Sequence, residues 1–172
     1  METNLLEGPV TGSMVLSLLP VTPQPSAAWS GVLPVAKPAA ARARRDTTWF
    51  LRNCEDAPAD DLIELAKLLI SELVTNAYNA MSDLASATVI EFSLRLFADR
   101  LLIEVIDCSP DHPVLNPPDD PSAENGRGLG IVADLSSEWG FFLHQGRKVV
   151  YCILPIALDA GDPRRRRDPG QS

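Results

Sequence analysis

Cysteine, histidine and aromatic side chains are scarce in this chain of 172 residues: three Cys, two His, and Phe, Trp and Tyr together only 6%. Cys54, Cys108 and Cys152 are an odd set without a CxxC spacing, so a disulfide framework or a cysteine zinc site is not expected. His112 and His144 share no metal-ligand spacing. Long apolar runs are absent as well. Met14 to Leu19 is too short to span a bilayer, and Glu2 and Glu7 precede it where a secretory leader would be basic. Positive charge is in deficit, and a formal net charge of -8 disfavours non-specific binding to nucleic acid or an anionic membrane. The one dense basic run, Arg164 to Arg167, stands among Asp159, Asp162 and Asp168 and reads as a solvated tail. Nucleophile motifs of the hydrolase kind are missing. These absences leave a soluble cytoplasmic protein, long enough to bury one core without metal or disulfide support.

What is present divides into an N-terminal arm over residues 1–27, rich in Pro, Gly, Ser and Thr, a domain over 28–156, and a tail over 157–172 expected to be disordered. Ala28 to Val35 reads as a short edge strand. Pro38 to Arg52 reads as a helix that turns Trp49 and Phe50 toward the core. The next helix begins near Pro58, with Asp60 and Asp61 at the positive end of its dipole. Its apolar face is Ile63, Ala66, Ile70, Val74 and Ala77, widened by Leu69 and Leu73. Two strands follow. Ile90, Phe92, Leu94 and Leu96 alternate with polar residues, then Asp99-Arg100 turns the chain into Leu101 to Asp107. Leu101, Ile103, Val105 and Asp107 share one face of that second strand. Between Cys108 and Asn125 five prolines preclude regular structure, and so long a loop in a compact domain is usually functional or mobile. A glycine-rich run then opens an amphipathic helix, and two strands near 139–143 and 148–154, joined at Gln145-Gly146, close the domain.

Three short stretches carry the chemistry. Glu72, Asn76 and Asn79 line the border of the apolar face of the long helix, where polar groups are either solvated or aimed into a pocket. In a pocket, the Asn76 side-chain oxygen suits Mg²⁺, which takes few protein ligands beside phosphates. Glu72, one turn earlier, could then orient or deprotonate a nucleophile. Asp107 ends an apolar strand face, where a carboxylate is costly to bury without donors. It either caps the turn Asp107-Cys108-Ser109-Pro110 or accepts from the amino group of adenine. Gly126-Arg127-Gly128-Leu129-Gly130 offers backbone N–H groups and a helix start to an anion, or simply permits a turn. It is not a Walker A sequence, and no strand precedes it as a dinucleotide-binding unit requires.

In this order, Glu72-Leu73-Val74-Thr75-Asn76-Ala77, Asp107-Cys108-Ser109-Pro110 and Gly126 to Val132 resemble the N, G1 and G2 boxes of the GHKL ATPase superfamily. They look most like the stand-alone serine kinases that act as anti-sigma factors, in particular small actinobacterial ones, over about residues 28–155. The resemblance implies an α/β sandwich with a mixed, mainly antiparallel sheet covered by helices on one face. It implies ATP and Mg²⁺ as cofactors, with Glu72 as general base, Asn76 on the metal and Asp107 on the adenine amino group. Gly126, Arg127, Gly128, Leu129 and Gly130 would meet the phosphates, and the proline-rich loop would be the ATP lid. The implied activity is phosphorylation of an anti-sigma-factor antagonist on Ser or Thr, with a sigma factor as second partner and a homodimer as a possible assembly. The alternatives are a non-catalytic ATP-binding module for partner switching and a detached histidine-kinase catalytic domain. Against the latter, no helical segment with a phospho-accepting His precedes the domain. Three departures from the family pattern stand out: Ala80 where small relatives carry His, a first glycine box without glycines, and Val149 where a Thr near adenine is common.

Overall fold

The computed structural model describes residues 23–84, 89–113 and 127–157. Residues 1–22 of the N-terminal arm, most of the proline-rich loop, Gly126 and the arginine-containing tail after residue 157 lie outside the described residues. Five strands form one sheet: β1 (Ala27–Pro34), β2 (Val89–Leu96), β3 (Arg100–Asp107), β4 (Glu138–His144) and β5 (Arg147–Pro155). Their order across the sheet is β1-β2-β3-β5-β4, and every pairing among the described residues is antiparallel. Three helices, α1 (Ala39–Arg52), α2 (Asp60–Met81) and α3 (Arg127–Leu135), complete an α/β sandwich of the GHKL-like ATPase type.

Side-chain alternation decides which face is covered. Phe92, Leu94, Ile103, Val105 and Cys152 point to the helix side and are buried, as period-two strands with one solvated face require. From the other side of this core, α2 contributes all seven apolar residues expected of it, together with Met81. The opposite sheet face is polar where β2, β3 and β5 meet. There Glu104 receives hydrogen bonds from Ser93 and Arg95, and Arg147 pairs with Glu91 at 2.8 Å. Tight turns fix the strand register. Phe97 N–H donates to Arg100 O at 2.8 Å across the β2–β3 turn. Gln145 and Gly146 both have positive φ in the β4–β5 hairpin, the backbone that a two-residue primed turn demands.

Two expectations about this scaffold change. Phe50 is in the core, but Trp49 is 56% exposed and lies against Trp29 with ring centroids 5.1 Å apart. Adjacent residues on a helix are about 100° apart, so the pair cannot both face inward fully. Helix α1 begins at Ala39 rather than Pro38, which occupies the capping position without a side-chain cap.

Candidate functional site

Glu72 and Asn76 lie one turn apart on α2, both half-buried, at the edge of the face that packs on the sheet. They flank Leu73, Val74 and Ala77, which are buried, so core packing sets the rotation of the helix and with it the direction of the two polar groups. Asn76 Nδ2 is buried without a hydrogen-bond partner among the described residues. A buried amide end left unpaired costs roughly 1–3 kcal/mol, and such an orphan in a folded chain points to a missing ligand or water. Just before this pair, Ser71 accepts a hydrogen bond from Arg44 on α1, which ties the two helices together beside Glu72. Asn79 is exposed and lines a cavity of about 170 Å³ on the α1 side of the helix, with Lys37, Thr75 and Tyr78.

Helix α3 closes the second wall. It starts at Arg127, so Gly128, Leu129 and Gly130 form its first turn rather than a loop before it. The Leu129 side chain is 4% exposed in the core, which leaves only its backbone to meet a ligand. Gly128 faces Glu72, and a Cβ there would overlap Glu72 Oε2. Gly130 has open space where a side chain would be. Glycine at 128 thus leaves room for the Glu72 carboxylate by close approach, and no unusual backbone conformation is involved. The backbone of Arg127 belongs to the same turn.

Asp107 is 1% exposed at the end of β3. Its Oδ1 accepts the Ser109 N–H at 2.8 Å, so the turn-capping reading holds. The same oxygen lies 3.2 Å from Lys148 Nζ on β5, an ion pair the sequence reading did not anticipate. Burial pushes the Asp107 carboxyl above its usual range, while the Ser109 N–H and the Lys148 ammonium pull it down and only partly offset that. Cys108, next in the chain, is exposed, and its N–H and thiol both contact Met81 Sδ at 3.4 Å.

The register places a lysine beside the carboxylate. Val149 is paired with Ile106 and faces away from Asp107, whereas Lys148 is directly opposite Asp107. Its signal was available: Lys148, Val150, Cys152 and Leu154 share the core face of β5, and a charge at the end of such a row needs a partner.

The structure brings Glu72, Asn76 and Gly128 to one α2–α3 wall and sets Asp107 at the end of the neighbouring strand. Gly126 lies outside the described residues, and the Arg127 side chain is not among the described atoms. The His112 ring lies tilted against Phe141, 5.0 Å between ring centroids, and no cluster of metal-ligating side chains occurs among the described residues. No described helix is long and apolar enough to cross a membrane.

Comparison with known proteins agrees with this geometry. The chain has no match among curated proteins. A solved structure of the RsbU and RsbW domains of Rv1364c from Mycobacterium tuberculosis has the same fold, with a TM-score of 0.55 and 18% identity. That match covers 76% of this chain but 32% of the other, so this protein spans about a third of that chain. The model of the histidine kinase-like ATPase domain matches residues 34–153. That stretch runs from the end of β1 to β5 and contains Glu72, Asn76, Asp107 and Gly128: the chain belongs to the histidine kinase-like ATPase domain family.

Proposed function

We propose that this chain binds Mg²⁺-ATP between α2, α3 and the end of β3 and transfers phosphate to a serine or threonine of a partner protein. The observation that carries the reading is the α2–α3 wall, in which Glu72 lies against Gly128 and the Asn76 amide one turn on has no partner among the described residues. The unpaired Asn76 Nδ2 suits a phosphate oxygen and leaves the amide oxygen for a hard cation, the backbone cradle that a Cβ would fill suits a polyphosphate, and the buried carboxylate suits a base carrying an amino group.

Bound Mg²⁺-ATP supplies the transferable phosphoryl group, and the chain positions it. The Asn76 side-chain oxygen is the metal ligand. The N–H groups at the start of α3, from Arg127 to Gly130, offer partial positive charge to phosphate oxygens. Glu72 takes up the proton of the attacking hydroxyl on its carboxylate, and Asp107 accepts from the adenine amino group. Catalysis in such a site is mainly positioning and electrostatics, with the carboxylate aligning the nucleophile.

The resemblance of the three boxes to anti-sigma-factor kinases, and the fold shared with the RsbU and RsbW domain structure, support a sigma factor and its antagonist as partners in transcriptional regulation. Incubation with labelled ATP, Mg²⁺ and a cognate antagonist is expected to label the antagonist on Ser or Thr, and Glu72→Ala to abolish the transfer while ATP still binds. Undiminished transfer by that variant would remove Glu72 from the mechanism. A second reading, a non-catalytic module that uses ATP as a structural or allosteric ligand, is favoured by the first glycine box without glycines and by Ala80. Calorimetric ATP binding without turnover on any partner selects it.

A further inference from the structure

The segment after β3 lacks the glycines common at this place in the family it resembles, yet it is held by a closed ring of polar contacts. Ser109 N–H donates to Asp107 Oδ1 at 2.8 Å, and Asp111 N–H donates to Ser109 Oγ at 3.1 Å. Lys148 Nζ donates to Asp111 O at 2.7 Å and lies 3.2 Å from Asp107 Oδ1. Both ends of the turn are therefore tied to one ammonium group. Lys148 and Asp107 are nearly sealed from solvent, with side-chain exposures of 5% and 2%, so the pair is not a screened surface contact.

We infer that Lys148 is a positioning residue for the base pocket, locking the Asp107 carboxylate and the turn through Asp111 into one rigid unit. The inference rests on the nucleotide reading above. A glycine-rich turn gains its shape from backbone freedom, whereas Cys108, Ser109, Pro110 and Asp111 keep theirs through the ammonium. Both contacts at Asp107 fall on Oδ1, which reserves Oδ2 for an incoming amino group. Of the three N–H donors of the lysine, one goes to Asp111 O, and the ammonium forms its ion pair with Asp107 Oδ1. Arg147, also on β5, adds a more distant positive charge toward Asp107. Lys148 thus acts through Asp107 and the turn.

The test compares the full chain with Lys148→Met, Lys148→Arg and the double variant Asp107→Asn/Lys148→Met. Two readouts are taken: affinity for ATP against inosine triphosphate, which has a carbonyl in place of the adenine amino group, and the NMR titration of the Asp107 carboxyl without nucleotide. Wild type is expected to prefer ATP at least tenfold. Lys148→Met should lose most of that preference and show an Asp107 titration moved upward, and Lys148→Arg should retain part of both. A Lys148→Met variant with wild-type preference and an unmoved titration overturns the inference and leaves the nucleotide site standing. Wild type that binds neither nucleotide overturns the nucleotide reading, and the inference with it, before any variant is made. Should Lys148→Met fail to fold, folding of the double variant shows that the unpaired Asp107 was the cause and supports the coupling. If both fail alike, Lys148 is only a packing residue and the inference falls.

Discussion

Gly128, in the first turn of α3, lies so close to Glu72 on α2 that a methyl group at 128 would clash with the Glu72 carboxylate oxygen. Two helices distant in sequence thus share one small space, and the glycine sets where the carboxylate can be.

Gly128→Ala is therefore expected to displace Glu72 without unfolding the protein. The clash is with the far end of a flexible side chain, and alanine inside a helix regains about 0.5–1 kcal/mol of propensity. Thermal unfolding should move little, while phosphate transfer falls at least tenfold and ATP affinity falls less. A variant with wild-type transfer would show that the position of Glu72 is immaterial.

Asn76→Ala removes a group whose buried end has no partner among the described residues, so stability should hold or rise slightly. Nucleotide affinity is expected to drop roughly tenfold or more in Mg²⁺, about 1.4 kcal/mol, and to differ little from wild type in a chelator. Calorimetry with and without the metal makes the comparison. An equal loss under both conditions would mean that Asn76 holds nucleotide and not metal.

Asp107→Ala leaves the Lys148 ammonium, 4% exposed, without its counter-charge, a change that costs about 3–5 kcal/mol when the partner is buried. Asp107→Asn keeps the shape and should cost less. The pH dependence follows from the raised carboxyl. Folded Asp107 holds its proton to higher pH than the unfolded chain, so its contribution is fully present below the ordinary carboxyl value of 3.8 and is lost as pH rises through the folded value. Denaturant unfolding from pH 3.5 to 7 should show wild-type stability falling relative to Asp107→Asn as pH rises in this window. Wild-type stability that rises relative to Asp107→Asn with pH refutes the sign.

Cys152 is buried in the sheet and its thiol is pushed up to about 12 by desolvation, so it stays protonated and inert at neutral pH. Cys54 is raised for the same reason, while Cys108 is exposed beside Asp107. Alkylation followed by peptide mapping should label Cys108 first, and ATP should slow that labelling if base and carboxylate meet as proposed. Early labelling of Cys152 would show that the β3–β5 core opens.

Much of this was legible in residue order, and the exceptions have physical causes. The buried face of α2 follows from helical spacing, and the β2 and β3 faces follow from alternation, because both periods are intrinsic to the backbone. Trp49 was read as buried from its chemistry, but its place on α1 next to Phe50 leaves it over Trp29 at the surface. The glycine run, expected at a helix start, supplies the first turn of α3 from Arg127 to Gly130, and Leu129 is in the core. At Asp107, turn capping and ligand binding were weighed as alternatives, and the carboxylate makes the turn contact while retaining a second oxygen.

The sequence by itself determined the elements, their inward faces and the three boxes that mark the family, since these depend on local periodicity and on residue types at short spacing. Only the tertiary structure decided what meets across the sheet and between helices. Whether position 148 or 149 faces Asp107 turns on strand register, and a slip of one residue sends every side chain to the other face. That Gly128 lies against Glu72 depends on the docking of α3 on α2, a contact between residues far apart in the chain that no local pattern encodes.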